Sequence, residues 1–177
     1  MDYTHTVKSP VGLLTLAGDG DNLTGLWVEG QKHFGVTLKP GHMEHRLPVF
    51  RKAEEWLERY FAGENPAIDF SLAPFGSPFR QAVWDILLKI PYGQVITYGD
   101  IARQLMAPGG RPSSSARAVG GAVGHNPISI IIPCHRVVGT GGNLTGYAGG
   151  LRVKTTLLTL EKADMDDFYI PSKGTAL

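Results

Sequence analysis

Residues 114–138, SSARAVGGAVGHNPISIIIPCHRVV, form the most informative stretch of this sequence. The serines at its start can cap a helix, and the small residues that follow, interrupted by Arg117, predict a helix that runs to Val123. The apolar run from Asn126 to Pro133 predicts a buried strand or extended segment. The stretch therefore predicts a helix, then a buried segment, and Cys134 at the end of that segment.

The residues before this stretch complete a pair of helices. Thr97–Leu105 predicts a short helix, and Pro108–Ser113 is a turn-forming run that joins it to the helix at 114–123. Helix, turn, helix is the outline of a helix-turn-helix motif. Flanking helices are expected to begin at Ser77-Pro78, because serine caps and proline suits the first helical position, and to cover 152–161.

The N-terminal part has a different pattern. Two β-rich runs within residues 7–29 flank a Gly/Asp/Asn cluster at 18–22, which predicts a hairpin with a loose loop. Apolar residues at helical spacing over 48–62 predict one amphipathic helix, and Glu64–Gly76, with two prolines, predicts a connector.

These patterns predict an α+β fold in three regions. Residues 1–76 form a small β-rich domain with one helix, and residues 77–162 form a mainly helical domain that contains the helix-turn-helix. Residues 163–177 form a polar tail, because their apolar content is too low for firm packing.

Composition restricts the class of protein. The chain has 177 residues, 42% of them hydrophobic, and neither a signal peptide nor an apolar run long enough to span a membrane. A cytoplasmic protein without membrane contact is expected. The single cysteine cannot form an internal disulfide or a Cys-rich zinc site, so neither a metal nor another cofactor is expected.

Charge is distributed unevenly along the chain. Residues 78–161 contain eight Lys/Arg and three acidic residues, a net charge of +5, whereas the remainder carries nine basic and thirteen acidic residues, a net charge of −4. The asymmetry indicates either a surface that faces a polyanion or a chance imbalance in a small sample.

Cys134 is followed directly by His135 and Arg136, and these basic neighbours favour a reactive thiol over an inert buried one. The thiolate is the nucleophilic form, and neighbouring basic groups lower the pKa of a thiol. In an extended strand His135 would point away from Cys134, so a tight turn or a bridging water must carry the proton. Glu161 is the only acidic residue between Asp100 and the tail, and its carboxylate could hold the imidazole tautomer. The residues suggest a Cys–water–His–Glu relay, with a solvated histidine as the alternative.

Glycine is concentrated in two places. Gly120 and Gly121 each cost the helix at 114–123 about 1 kcal/mol relative to alanine, and either close approach to another surface or tight helix packing explains them. The glycines at 146, 149 and 150 let a loop approach a flat ligand, or form a turn and nothing more.

Taken together, these residues resemble the O6-alkylguanine-DNA alkyltransferases, also called methylated-DNA–protein-cysteine methyltransferases. The resemblance covers residues 79–161, and the preceding residues fit the N-terminal domain of that family. The segments that carry it are the active-site signature Ile132–Val138, the recognition helix Ala116–Ala122, and Gly124–Pro127, Tyr147–Gly150 and Lys154–Glu161 in the family order. The Pro108–Ser113 turn is several residues longer than in compact members, which leaves the relative placement of the two helices open.

The resemblance implies the catalytic roles. Cys134 would accept the alkyl group, with His135 and Glu161 as its water-mediated relay. Tyr98 would reach the flipped base, help to rotate its phosphate and give a proton or hydrogen bond to N3 of guanine. Arg117 would fill the gap that the flipped nucleotide leaves in the duplex.

The resemblance also implies which residues contact DNA and line the pocket. Asn126 would tie together the turns near the helix and the active-site segment. Backbone carbonyls of Cys134 and Val137 would accept from the guanine amine, the Ala148 amide would donate to O6, and Tyr147 would line the pocket. The DNA-contacting residues would be Arg117, Ser115, Ala116, Gly120 and Val123.

The implied activity is direct reversal of DNA damage. A monomer would bind double-stranded DNA with a flipped O6-alkylguanine and transfer the alkyl group irreversibly to Cys134; O4-alkylthymine is expected to react as well. The product is a thioether, which no residue here could cleave, so each molecule would act once.

Three other functions share part of this pattern. An alkyltransferase-like lesion-binding module would lack the acceptor that Cys134 provides. A helix-turn-helix transcription factor would carry polar base-reading side chains on its second helix, where this chain has alanine and glycine. A Cys–His hydrolase would need a cleft for a peptide or an ester.

Overall fold

A computed structural model describes residues 1–105 and 115–171 of the chain. These residues form two units, one of residues 1–75 with 127–129 and one of residues 76–126 with the chain from 130 onward. The first unit is built on a sheet and the second is mainly helical, so the predicted α+β fold class is confirmed. Within the described residues, no helix is both long enough and apolar enough to cross a bilayer.

Four strands form the sheet of the N-terminal unit: β1 (Tyr3–Ser9), β2 (Gly12–Gly18), β3 (Leu23–Val28) and β4 (Met43–Glu44). Their order is β3-β2-β1-β4, antiparallel except for the parallel pair of β1 with β4. The predicted hairpin corresponds to β2 and β3. The Asp19 carboxylate fixes its loop by accepting from the backbone N–H of Asn22 at 2.9 Å. Neither β1 nor β4 was predicted from the sequence.

Helix α1 (Pro48–Phe61) confirms the amphipathic helix expected at 48–62. Its buried face packs with the sheet through Phe50, Ala53, Trp56, Leu57 and Tyr60. The connector after it is anchored rather than loose. Backbone hydrogen bonds of 2.9 Å join Leu23 to Ser71 and to Ala73, so the connector runs beside β3.

The second unit contains α2 (Pro78–Leu87), α3 (Tyr98–Gln104), α4 (Ala116–Gly124) and α5 (Leu151–Leu160). Three of these begin at side-chain caps that satisfy otherwise unpaired helix N–H groups. The Ser77, Thr97 and Ser115 hydroxyls accept from the backbone N–H three residues later, at 3.3, 3.0 and 3.1 Å. The serine caps predicted for α2 and α4 are confirmed, and the short helix predicted from Thr97 is present, with a threonine cap that was not predicted.

Helices α3 and α4 pack against each other as the two helices of the expected helix-turn-helix. Helix α2 supports α4, since the Trp84 indole donates to the Ala122 carbonyl at 2.9 Å. The predicted turn at Pro108–Ser113 lies outside the described residues.

The prediction of a strand or extended segment over 126–133 is wrong. Ile128 makes an isolated bridge to Leu26, and the following residues form turns in which Ile130 has φ of 71°. A left-handed conformation is costly for a β-branched residue, so its surroundings must impose it. Periodicity alone cannot separate such a buried turn from a buried strand, because both are continuous apolar runs.

Two short strands, β5 (Ile96–Thr97) and β6 (Val137–Val138), pair in parallel within the second unit. β5 leads directly into α3, and β6 follows the cysteine signature. The pairing therefore fixes the start of the helix-turn-helix against the segment that carries Cys134.

The C-terminal residues pack more firmly than their composition indicates. Ala163 is buried in a cluster with Val138, Leu144 and Leu158, and Met165 and Phe168 pack against it. The backbone N–H of Leu144 donates to the Tyr169 carbonyl at 2.9 Å. The expectation of a loosely packed tail is therefore wrong up to about residue 169. A few apolar residues are enough to anchor the segment, because they pack against an existing hydrophobic cluster.

Candidate active site

Cys134 lies on a single turn of 3-10 helix, Cys134–Arg136, directly before β6. This turn supplies the tight geometry that an extended strand could not, because consecutive residues no longer point to opposite faces. The cysteine is 3% exposed. Its side chain is therefore shielded from bulk solvent, between a turn and a strand.

The side-chain amide of Asn126 organises the turn before Cys134. Its Nδ2 donates to the Ile132 carbonyl at 2.8 Å and to Sγ of Cys134 at 3.2 Å. One buried amide thus fixes the backbone before the cysteine and contacts the sulfur itself. The tying role that the family resemblance implied for Asn126 is consistent with these contacts.

His135 and Glu161 form a fully buried pair. Nε2 of His135 lies 2.7 Å from Oε1 of Glu161, and both side chains are 0% exposed. Arg136 completes the cluster by donating to both carboxylate oxygens, through Nε to Oε2 at 2.8 Å and through Nη2 to Oε1 at 2.9 Å. The predicted His–Glu contact is thus present, and Arg136, which from the sequence was considered only as a cationic neighbour of the thiol, joins it.

Burial controls the protonation of this cluster. It raises the pKa of the Cys134 thiol, although the Asn126 hydrogen bond and the Lys154 charge act in the opposite direction. It also lowers the pKa of His135, against the effect of Glu161. Burial alone would raise the pKa of Glu161, but the hydrogen bonds from His135 and Arg136 lower it to about 2. At neutral pH the cluster therefore holds a neutral thiol, a neutral imidazole and an ionised carboxylate.

This distribution corrects the expectation that neighbouring groups lower the pKa of Cys134 in the resting protein. Desolvation of the thiolate outweighs the groups that favour it. The chemistry such a cluster supports is proton transfer from a thiol to a waiting neutral histidine.

Lys154 and Tyr98 meet at the backbone carbonyl of Thr145. The Tyr98 hydroxyl donates to it at 2.9 Å and Nζ of Lys154 donates to it at 3.0 Å. Nζ of Lys154 also donates to the Val137 carbonyl. Burial lowers the pKa of Lys154 to about 8 and raises that of Tyr98, so the tyrosine remains a protonated donor at neutral pH.

A cavity of about 470 Å³ opens beside this node, between the start of α4 and the loop after β6. Tyr98 and Arg117 both line it, together with Gly99, Ala116, Gly120, Gly139, Thr140, Thr145 and Gly146. The cavity therefore lies within the second unit and brings two residues from different helices to one opening. A glycine is required at 146, because φ is 75° and an added Cβ would lie 2.7 Å from the Tyr98 hydroxyl.

The residues of α4 that were expected to contact DNA differ in their exposure. Ser115, Ala116 and Arg117 are exposed at the start of α4, and Gly120 is half-buried on the cavity. Val123, in contrast, is 2% exposed and belongs to the core. The expectation that Val123 faces DNA is therefore contradicted, since the helix turns that residue toward the helices behind it.

The expected pocket residues lie on the loop and strand around Cys134. The Val137 carbonyl accepts from Lys154. Tyr147 is buried with its ring edge-on to His135 at 6.4 Å, and its hydroxyl has no hydrogen-bond partner among the described residues. Ala148 is half-buried in the turn that the 3.0 Å bond from Gly150 N–H to the Tyr147 carbonyl closes.

Sequence reasoning missed the roles of Arg136 and Lys154. Both are cations in a buried setting, 9% and 0% exposed, and such side chains are rare in a core unless they are paired. Their position within apolar runs, beside Val137 and Val153, was the available signal. Among the described residues, no three His, Cys, Asp or Glu side chains are grouped as they would be to hold a metal ion.

Comparison with known proteins gives the same family over most of the chain. Residues 3–74 match the family described as "6-O-methylguanine DNA methyltransferase, ribonuclease-like domain", and residues 78–163 match "6-O-methylguanine DNA methyltransferase, DNA binding domain". A methylated-DNA–protein-cysteine methyltransferase of Mycobacterium bovis is 48% identical over 92% of this chain and 94% of its own. One from Methanosarcina acetivorans is 46% identical over 90% of this chain and 97% of its own.

Solved structures agree with these matches. Mycobacterium tuberculosis OGT in complex with DNA matches with a TM-score of 0.78 at 48% identity, covering 90% of this chain and 92% of that one. An O6-methylguanine DNA methyltransferase from Methanococcus jannaschii matches with a TM-score of 0.60 at 28% identity, covering 96% and 100%. On its sequence, its fold and its buried Cys–His–Glu cluster, the chain belongs to the methylated-DNA–protein-cysteine methyltransferase family.

Proposed function

We propose that this protein repairs DNA by moving an alkyl group from O6 of guanine, or O4 of thymine, to Sγ of Cys134. The observation that carries the proposal is the buried turn on which Cys134, bonded by Asn126, is followed by His135 in contact with Glu161. Family membership supports the same reaction. A nucleophile followed by a base that a third group orients is the general arrangement for activating a thiol.

The first step is proton transfer. Neutral His135 takes the proton of Cys134 through a water molecule, and the ionised Glu161 stabilises the imidazolium that forms. Since Nε2 of His135 faces Glu161, the exchange with the thiol uses Nδ1. The thiolate forms only during this proton transfer, which is consistent with burial raising the pKa of the Cys134 thiol in the resting protein.

The second step is displacement at the alkyl carbon. The S–C bond forms as the C–O6 bond breaks, and the electron pair of that bond leaves with guanine. A hydrogen bond or proton from the Tyr98 hydroxyl at N3, and a hydrogen bond from the Ala148 amide at O6, stabilise the leaving base. In the resting protein Tyr98 donates to Thr145, and Lys154 can continue to bond that carbonyl when Tyr98 turns to the base. The thioether on Cys134 is stable, so each molecule reacts once.

The substrate reaches the sulfur as a flipped nucleotide of double-stranded DNA. An alkyl group inside a stacked duplex is out of reach, and flipping costs a few kcal/mol. The small, exposed residues at the start of α4 let the helix approach the minor groove, and Arg117 occupies the place of the extruded base. The cavity next to Tyr98 and Arg117 is the entry for that base. One protein molecule is enough for the reaction, so a monomer acts.

Incubation with a duplex that carries radiolabelled O6-methylguanine tests the proposal. Label should move to wild-type protein and not to Cys134→Ser, while an unmodified duplex gives none. Binding without transfer would assign the protein to the lesion-binding modules instead. Sequence-specific binding without transfer would assign it to the transcription factors.

A further inference from the structure

Four hydrogen-bond donors surround the Glu161 carboxylate. Oε1 lies 2.7 Å from Nε2 of His135 and accepts from Nη2 of Arg136 at 2.9 Å. Oε2 accepts from Nε of Arg136 at 2.8 Å and from the backbone N–H of Gly93 at 3.2 Å. Arg136 therefore donates to both oxygens of the carboxylate.

Arg136 is itself fixed by contacts away from the carboxylate. Its Nη1 donates to the Ile90 carbonyl at 2.7 Å, and its guanidinium lies 5.8 Å from the centre of the Tyr92 ring. The planar fork therefore has one orientation, and both oxygens of Glu161 follow it.

We propose that Arg136 is a positioning residue that sets the tautomer of His135 by holding Glu161 ionised and in one orientation. An ionised carboxylate only accepts hydrogen bonds, so Nε2 of His135 must carry the proton. The lone pair of the imidazole is then on Nδ1, the nitrogen that receives the proton of Cys134. In this role Arg136 does not contact substrate; it acts through its hydrogen bonds to Glu161 and through its charge near His135.

The charged and titratable groups around this pair determine what happens without the arginine. Glu161 interacts electrostatically with His135, Arg136, Tyr92 and Tyr147. His135 also interacts electrostatically with Lys154, and its ring lies edge-on to that of Tyr147. Arg136 and Lys154 both disfavour a charged imidazole, and Arg136 also favours the ionised carboxylate. Without Arg136 the His–Glu pair should therefore keep an additional proton up to a higher pH.

The test, which rests on the proposed transfer activity, measures alkyl transfer from free O6-benzylguanine against pH, because a free base needs neither DNA binding nor flipping. In Arg136→Gln the acid limb of the rate should move up by about one pH unit, the low end of what one nearby charge does to a pKa. Arg136→Lys keeps the charge without the fork and should shift the limb in the same direction by less. Arg59→Gln, which removes an exposed Arg–Glu pair of 2.7 Å in the N-terminal unit, should leave the profile unchanged.

The ring ¹⁵N resonances of His135, assigned by their loss in His135→Ala, give a second readout that needs no transfer. Wild type should show a protonated Nε2 and an unprotonated Nδ1 at neutral pH, and Arg136→Lys should retain this form over a narrower pH range. If Arg136→Gln fails to fold, the lysine variant still decides. A uniform loss of rate at every pH, or a lysine variant with wild-type profile and resonances, would overturn the inference. If wild type transfers nothing from this base or from a duplex that carries O6-methylguanine, the proposed function fails instead, and the resonances still report on Arg136.

Discussion

At the scale of single residues, the protonation of Cys134 follows from its burial. The thiol is 3% exposed, and desolvation raises its pKa even though Asn126 contacts the sulfur. A resting thiolate would react with any electrophile that reached it. On the proposed mechanism the thiol ionises only by proton transfer to His135, which reserves the single alkylation for the substrate that fills the pocket.

The buried carboxylate of Glu161 should leave a signature in acid. Its pKa is lowered from 4.5 to about 2 in the folded protein, chiefly through His135 and Arg136. Its contribution to stability is therefore present above pH 4.5, up to about 3 kcal/mol, and is lost as the pH falls from 4.5 toward 2. Denaturant unfolding should show that Glu161→Gln is less stable than wild type at pH 7, by a margin that narrows as the pH falls. Glu64→Gln, at an exposed ion pair, should show no such narrowing; a pH-independent margin for Glu161→Gln would contradict the assignment.

Arg117 allows base flipping to be separated from chemistry. It is exposed at the start of α4 and lines the cavity, whose lining residues do not include Cys134. On duplex containing O6-methylguanine, Arg117→Ala should lose about 1–3 kcal/mol of transition-state stabilisation, part of the flipping cost. Its reaction with a free O6-alkylguanine base should be nearly that of wild type. Arg152→Ala, at another exposed arginine, is the control for general loss of positive charge, and equal losses of Arg117→Ala on both substrates would argue for a damaged pocket instead.

Sequence could predict the residue chemistry only in part. The pairing of His135 with Glu161 could be predicted because a histidine that acts as a base is usually oriented by a carboxylate, and Glu161 is the only acidic residue between Asp100 and the tail. Arg136 was not, because its contacts with Glu161 depend on the 3-10 turn at Cys134, and the apolar run before it predicted a strand. The prediction that Val123 contacts DNA was wrong for a different reason. Its neighbours resemble a recognition helix, but packing decides which face of a helix is buried.

At the scale of elements, the loop after β6 depends on glycine where it passes Tyr98. Gly146→Ala places a Cβ 2.7 Å from the Tyr98 hydroxyl, whereas Gly141→Ala has the same left-handed backbone strain and no atom within 4 Å. Both variants should lose stability to a similar degree from backbone strain. Only Gly146→Ala should slow alkyl transfer further, by about 10- to 100-fold, because it displaces the Tyr98 hydroxyl that we propose contacts the base. Equal rates in the two variants would show that Tyr98 does not need its present position.

The segment after α5 supports the same loop. Phe168 packs against the cluster of Val138, Leu144, Leu158 and Ala163, whereas Ile170, two residues later, is 60% exposed. Phe168→Ala should therefore reduce the free energy of unfolding by about 1–2 kcal/mol, less than for a fully buried phenylalanine. Ile170→Ala should change it by no more than about 0.5 kcal/mol, as usual for surface sites. Similar effects in the two variants by denaturant titration would mean that this segment does not pack as described.

The elements that sequence predicted are those with local signals. The starts of α2 and α4 followed from the capping serines Ser77 and Ser115, since a cap acts within one turn. The two-residue strands β5 and β6 have no such signal, because each exists only through its partner about 40 residues away. The turn at 128–132 was missed because the left-handed Ile130 contradicts the preference of its own side chain.

At the scale of the whole molecule, the positive and negative charges are distributed unevenly between the two units. The basic segment at 78–161 coincides with the unit that contains the helix-turn-helix and Cys134, and the acidic remainder falls largely in the N-terminal unit. The asymmetry supports the proposed binding of DNA by the unit that carries Cys134. Long-range attraction of this kind weakens with added salt.

Direct stoichiometry is the most decisive test of the central claim that Cys134 accepts the alkyl group once. Purified protein is incubated with a large excess of duplex containing O6-methylguanine, and its intact mass and digested peptides are then measured by mass spectrometry. One added methyl group per molecule, located on the peptide that contains Cys134, is the expected result. Repair of well over one equivalent of lesion, or full activity in Cys134→Ser, would contradict it.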